Sequence, residues 1–415
     1  MPAAVKFKLR LLFLLLPQLF LLFPGLLRAE NTSWHLVTRN HRDYLPLADF
    51  CAFYEFPSPT VNDNHRLSVK GPRGQITFEA DSTRITYNGV CHYLSFPVLA
   101  EEGGWYVSRI DLAYFFEPLL RPAKIATDNP FKGVIIDPGH GGADNGAYST
   151  QGGMEKTYTL DTAFRLERLL QSRNVTTVLT RRRDEFIPLE ERARFGERYP
   201  DFLFVSIHFN SAGRGARGLE TYAETPRGAS STSSEGSLRQ SDFENVPGNE
   251  ENPLNILLAS SIHRRISNGL NPGDLEADRG VKRARFVVLK ENPLPATLVE
   301  GGFLTNPLES RLIAQTAYRQ KLAEFIADGI GDFLRSTKSP LAAAFRASFS
   351  EPNLEPGPPS SPPSAPAVLN IPTAPAVPEP APEISTVPPA IPSDPTAMAP
   401  IPPAQQTQQP QQAQP

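Results

Sequence analysis

Two histidines stand out by their placement. In VIIDPGHGG (residues 134–142) an apolar run ends at Asp137 and turns through Pro138, Gly139, Gly141 and Gly142, so the backbone can approach a ligand while His140 is presented at a strand's carboxyl end. In FLFVSIHFNS (residues 202–211) a second apolar run ends in His208. Two imidazoles at the ends of two strands of one sheet can converge, and hydrolytic zinc takes three protein ligands from His, Asp and Glu while keeping one position open. Asp137, Asp144 and Glu155 are the carboxylates that could supply the third; Glu155 lies at the expected start of a helix. In ATLVEGGFLTN (residues 296–306) another apolar run ends at Glu300, a carboxylate suited to taking a proton from an activated water. The glycine spacing is not GxGxxG and no GKT or GKS follows, which sets a nucleotide cradle aside.

The elements that must hold these residues follow from periodicity. Over residues 131–338, strand-like runs at 134–137, 176–180, 203–207, 218–222, 286–289 and 297–300 alternate with longer segments of helical spacing, the order of an α/β domain. Leu254, Leu257, Leu258, Ile262 and Ile266 form one helical stripe, and Leu322, Phe325, Ile326, Ile330 and Phe333 another. His263 shares the first stripe, away from every strand end, and reads as structural. Residues 224–252 are polar and aperiodic, a long loop that could cover the cleft and restrain activity.

Upstream, residues 31–126 alternate short apolar runs with turns and predict a small α+β module. A faint repeat, DYLPLADFCAFYE (43–55) against WYVSRIDLAYFFE (105–117), aligns Asp49 with Asp111, and its copies are expected to pair. His35, His41, His65 and His92 lack ligand spacing and read as surface or satisfied groups. Cys51 and Cys91, the only cysteines, are expected to bridge in an oxidising compartment, worth roughly 3 to 4 kcal/mol by chain entropy. That compartment is suggested by residues 1–29, where Lys6, Lys8 and Arg10 precede an apolar run closing near Ala29, the order of a signal peptide for export to the periplasm or cell envelope. No later stretch is apolar enough to span a membrane, and a net charge of −3 with both signs interspersed excludes a nucleic-acid footprint. Residues 340–415, rich in Pro, Ala and Gln, predict a disordered tail.

The three strings, with Thr180, Arg181, Asp184, Leu189, Arg192 and the run Gly280, Val281, Lys282, resemble the zinc-dependent N-acetylmuramoyl-L-alanine amidase family over about residues 132–334. The resemblance implies a mixed, mostly parallel sheet flanked by helices. It implies Zn2+ held by His140, Glu155 and His208, with Glu300 as catalytic base. It also implies peptidoglycan as substrate, cut between the lactyl group of N-acetylmuramic acid and L-alanine, in wall turnover or daughter-cell separation. Asn210, Arg181 and Lys282 are then candidates for contacting the intermediate or peptide carboxylates. Phe209 and Gly301 depart from the family pattern and bear on substrate fit. The N-terminal module resembles the copper amine oxidase N-terminal-like domain, which accompanies many bacterial wall enzymes; here it carries no metal motif and implies binding to the wall or to a division or wall-associated partner.

Overall fold

A computed structural model describes residues 34–337 except 64, 102–103, 126–130, 235–236 and 271–276. The expected signal segment and Pro-rich tail lie outside the described residues. The N-terminal module contains β1 (Val37–Arg39), β2 (Arg42–Pro46), α1 (Leu47–Phe53), β3 (Thr60–Asp63), β4 (Arg66–Gly71), β5 (Gly74–Glu79), β6 (Ser82–Tyr87), β7 (Val90–Glu101), β8 (Gly104–Ser108), α2 (Arg109–Asp111), a π-helical turn (Leu112–Phe116) and α3 (Glu117–Leu120). The two copies of the repeat pair antiparallel, with Tyr44 opposite Ser108 and Pro46 opposite Tyr106. Asp111 is buried and accepts from Ser95 N, Phe96 N and Ser108 Oγ, tying β7 to the turn that follows β8. Asp49 pairs with exposed His35 instead.

The remaining chain supplies β9 (Gly133–Pro138), α4 (Glu155–Ser172), β10 (Thr176–Leu179), α5 (Leu189–Ala193), α6 (Phe195–Arg198), β11 (Phe202–Asn210), β12 (Leu219–Ala223), α7 (Asn252–Leu270), β13 (Asp278–Arg283), α8 (Val287–Lys290), β14 (Ala296–Phe303), α9 (Pro307–Ala314) and α10 (Thr316–Ser336). Its strands lie in the order β10, β9, β11, β14, β12, β13. The first four run parallel, β12 is antiparallel to β14, and β13 is parallel to β12. This is a mixed, mostly parallel sheet flanked by helices. The alternation along β11 sorts its two faces: Leu203, Val205, Ile207 and Phe209 enter the main core under α4, α7 and α10, while Phe202 and Phe204 enter a smaller cluster with Val288, Leu289 and Leu298. No helix among the described residues is long and apolar enough to cross a membrane.

Four expectations change. Residues 286–289 form the start of α8 rather than a strand, because four apolar residues carry no usable period; the strand at that place is β13, whose charged sequence DRGVKR hides it. Glu300 lies within β14, which continues to Phe303. Cys51 and Cys91 are both buried free thiols, one on α1 in the module core and the other on β7, where its N–H donates to Asp278 Oδ2 at 2.9 Å.

The fourth change concerns residues 224–252. Glu220 of β12 pairs with Glu300 and Tyr222 with Leu298, so the strand runs away from the ligand-bearing end and delivers this loop to the opposite edge of the sheet. There it packs on α8, and a Cβ at Gly248 would lie 2.2 Å from Leu289 O. Arg285 anchors it through Glu224, Asp242 and the carbonyls of Thr225, Pro226 and Ala229. The described residues of the loop contain three short 3-10 turns and lie at the end of the sheet away from His140 and His208.

The N-terminal module is joined to this sheet rather than tethered beside it. β7 pairs with β13 in parallel, with His92 opposite Val281, and β6, β5, β4 and β3 continue beyond it. A buried polar network closes the seam. His92 Nδ1 donates to Val90 O and its Nε2 accepts from Ser260 on α7. His263 Nε2 donates to Asp278 Oδ1 and its Nδ1 accepts from Thr221 Oγ1. Arg283 donates to Tyr114 O from β13.

Candidate active site

His140, Glu155 and His208 meet at the carboxyl end of the parallel strands, with one ligand atom from each within 4.8 Å of the others. The turn after β9 takes His140 to φ 60°, a left-handed conformation uncommon for a residue with a side chain. Arg181 and Arg192 hold it there. Arg192 donates to Asp137 Oδ1, Pro138 O and His140 O, and Arg181 donates to the carbonyls of Pro138, Gly139, Lys156 and Arg183. Gly139 passes directly beneath His208, where any Cβ would lie 2.2 Å from the imidazole ring.

Glu155 begins α4 and accepts from Phe209 N and Ala147 N, leaving its carboxylate between the histidines. His208 Nδ1 donates to Glu155 Oε1 at 3.0 Å. His140 Nδ1 donates to Asp144 Oδ2 at 2.8 Å, whereas His140 Nε2 lies 3.1 Å from Glu155 Oε1 without a hydrogen-bond partner. Burial works against an imidazolium here, yet the Asp144 hydrogen bond and the Glu155 carboxylate nearby outweigh it and push His140 up to about 10. Burial likewise opposes a charged Glu155, but the two histidines hold its carboxyl far below the usual carboxylate range. Such a pocket is built to surround positive charge.

The geometry also sorts the other carboxylates. Asp137 accepts from Thr180 Oγ1, Ser206 Oγ and Arg192, so it braces the strand ends and is not free to bind a ligand. Asp144 orients His140. Glu300 is the cross-strand partner of His208; its Oε2 is buried without a hydrogen-bond partner, and burial, Glu155 and Glu220 hold its proton affinity well above the ordinary value. Asn210 lies near, its Nδ2 donating to Glu220 Oε2.

One of the expected substrate contacts does not stand, and the two departures from the family pattern do not bear on substrate fit. Arg181 is 1% exposed and its guanidinium is committed to backbone carbonyls, so it shapes the turn and cannot reach a substrate. The departures at Phe209 and Gly301 face the core: a Cβ at Gly301 would lie 2.8 Å from the Phe209 ring and 2.5 Å from Leu322. The large residue at one position fills the space left by glycine at the other, a packing exchange outside the cleft. Lys282 does reach the site, its Nζ 2.8 Å from Glu220 Oε1. Glu220 itself was not singled out from sequence.

A mixed α/β sheet that gathers two histidines and a glutamate at its parallel edge, with a second buried glutamate alongside, is an arrangement that could hold a metal ion. Residues 134–332 match the family described as N-acetylmuramoyl-L-alanine amidase. The amidase AmiA of Salmonella typhimurium is 35% identical over 214 residues, covering 48% of this chain and 74% of the relative. AmiA of Escherichia coli is 34% identical over the same length, with the same coverage. Among solved structures, the amidase AmiC2 of Nostoc punctiforme is 31% identical, covers 50% of this chain and 99% of that chain, and superposes with a TM-score of 0.40. The chain belongs to the N-acetylmuramoyl-L-alanine amidase family.

Proposed function

We propose that this protein is an exported peptidoglycan amidase that hydrolyses the bond between the lactyl group of N-acetylmuramic acid and L-alanine of the stem peptide. The observation that carries this reading is the His140, Glu155 and His208 cluster, with its unpartnered imidazole nitrogen, set cross-strand from Glu300. The donor set of two imidazoles and one carboxylate fits zinc, and Asp144 fixes the tautomer of His140 as an outer partner should. When bound, zinc supplies Lewis acidity toward the scissile carbonyl and makes water more acidic. Glu300 takes the water proton and returns it to the departing alanine nitrogen, a role suited to a buried carboxylate with raised proton affinity. The strained His140 turn and its two arginine braces hold the first ligand in place. The resemblance of the N-terminal module to a wall-enzyme accessory domain supports attachment to the wall or to a partner there.

The test is digestion of purified peptidoglycan with zinc-loaded protein and identification of the new ends. Free lactyl groups and released L-alanine amino termini are expected, and Glu300→Gln should lower turnover by roughly 10² to 10⁴-fold with zinc retained. Cleavage between amino acids of the stem, with muramyl-alanine bonds intact, would replace the amidase with a wall peptidase. Glu300→Gln turnover equal to wild type would remove Glu300 from the chemistry.

A further inference from the structure

A row of polar side chains runs across the sheet from the metal cluster to the N-terminal module. His208 on β11 stands opposite Glu300 on β14, and Glu300 stands opposite Glu220 on β12. One step further Tyr222 stands opposite Lys282 on β13, and Val281 stands opposite His92 on β7. The next residue of β7, Tyr93, places its ring centroid 5.7 Å from Lys282 Nζ. The row thus begins at a metal ligand and ends on the module.

Glu220 organises the middle of this row. It is 2% exposed and both oxygens are occupied: Oε1 accepts from Lys282 Nζ and Arg279 Nε, and Oε2 accepts from Asn210 Nδ2 and Tyr222 Oη. Burial alone would neutralise such a carboxyl, but Lys282, Tyr222 and Arg279 hold it charged. No acceptor site remains for substrate, so Glu220 acts through the groups it gathers. The two cations keep spare capacity. Lys282 places one of its three donors on Glu220, and its side chain is 15% exposed. Arg279 uses Nε, leaving its terminal fork, and its side chain is 37% exposed over the Phe303 ring, 5.0 Å from the centroid. Two cations fixed by one carboxylate leave a positive, solvent-facing spot two strands beyond the base.

We propose that Arg279 and Lys282 form a carboxylate-binding subsite for the stem peptide, preassembled by Glu220 as positioning residue and completed by Tyr93 of the N-terminal module. This deepens the amidase reading and rests on it. Stem peptides bear free carboxylates on the side of the scissile bond that leaves, and an arginine fork with a lysine is a donor set matched to such a group. The module then contributes to recognition at the active site itself.

The experiment compares a soluble muropeptide carrying free stem carboxylates with the same muropeptide amidated at those carboxyls, as substrates of zinc-loaded full-length protein and as ligands of Glu300→Ala by calorimetry. Wild type is expected to prefer the acid form in kcat/KM, and Glu300→Ala to bind it tighter, by roughly tenfold or more, the worth of a charge-assisted hydrogen bond. Lys282→Met and Arg279→Met should raise KM for the acid form and bring the acid-to-amide ratio toward one. Lys282→Arg should restore part of the ratio, and Glu220→Gln should lower it with zinc still bound. Tyr93→Ala should lower it least. A ratio near one in wild type and in Glu300→Ala overturns the subsite, as does a ratio left intact by both methionine variants. Preferential binding of the acid form without cleavage would sink the amidase reading and leave the subsite standing.

Discussion

Two clusters of histidine and carboxylate are buried in the same sheet, and they are finished to different degrees. At the seam between the module and the α/β sheet, His92 and His263 each have both ring nitrogens satisfied, and Asp278 accepts from His263, Cys91 N and Gly280 N. At the strand ends, His140 Nε2 and Glu300 Oε2 have no hydrogen-bond partner, the backbone of His140 is left-handed, and two arginines brace the turn. Leaving a buried polar atom unpaired costs about 1–3 kcal/mol. A fold that satisfies both ring nitrogens of each histidine in one cluster, although Arg283 Nε beside it is buried without a partner, and leaves His140 and Glu300 open in the other has been shaped there for something that binds. Histidine and carboxylate together therefore do not mark a site; unfilled valence at a strained turn does.

The sharpest way to break this comparison is to remove one residue from each cluster. His208→Ala leaves two ligands where zinc takes three. The variant is expected to lose stoichiometric zinc by mass spectrometry and at least about 10²-fold in turnover, while the stability of the metal-free protein changes by less than roughly 1 kcal/mol, since Glu155 keeps the Phe209 and Ala147 N–H donors and His140 beside it. Asp278→Ala should do the reverse. It strands the His263, Cys91 and Gly280 N–H donors in a buried seam, at a cost of about 3–5 kcal/mol in urea unfolding, with zinc content retained. If Asp278→Ala released the metal at unchanged stability, the two clusters would not be separate devices. Deleting residues 34–125 should resemble Asp278→Ala in direction, because it uncovers β13 as well as removing a binding surface.

Much of the strand-end cluster is legible in the sequence. Apolar runs leading into Asp-Pro-Gly-His and into His-Phe-Asn bring imidazoles to the carboxyl side of the sheet by chain geometry alone, and the same reading singles out Glu300 although β14 continues past it to Phe303. Glu155 needed a third dimension, because Asp137 and Asp144 compete on sequence and lose only when Thr180, Ser206 and Arg192 are seen to occupy one and His140 the other. The second half of the site was hidden. β13 has charged residues at four of six positions, and it becomes a strand only because Asp278, Lys282 and Arg283 find buried partners. The direction of β12 was equally invisible: a five-residue strand reads the same both ways, yet its antiparallel pairing sends residues 224–252 to the far edge. Arg181 illustrates the converse error, a cation near a predicted site that proved to be scaffolding.

The comparison is sharpened last by pH, where the closed cluster carries a sign. Burial, the first cause, together with His263 and Arg283, lowers His92 to about 4 against the Val90 hydrogen bond and Asp278. Its ring accepts from Ser260 through Nε2, which only the neutral form can do. The unfolded chain takes up a proton near 6.5 and the native seam does not until about 4, so between those values the unfolded state binds more protons and stability falls as pH falls. The expected loss is on the order of 2 kcal/mol at pH 5 relative to pH 7.5. Urea midpoints for wild type and His92→Gln at both pH values isolate it, since the other titrating groups are common to the two proteins. The glutamine amide can donate to Val90 O or accept from Ser260 without titrating, so the variant should show the shallower pH dependence. Equal slopes would mean that the seam tolerates a charged His92, and that its closure is less complete than its hydrogen bonds imply.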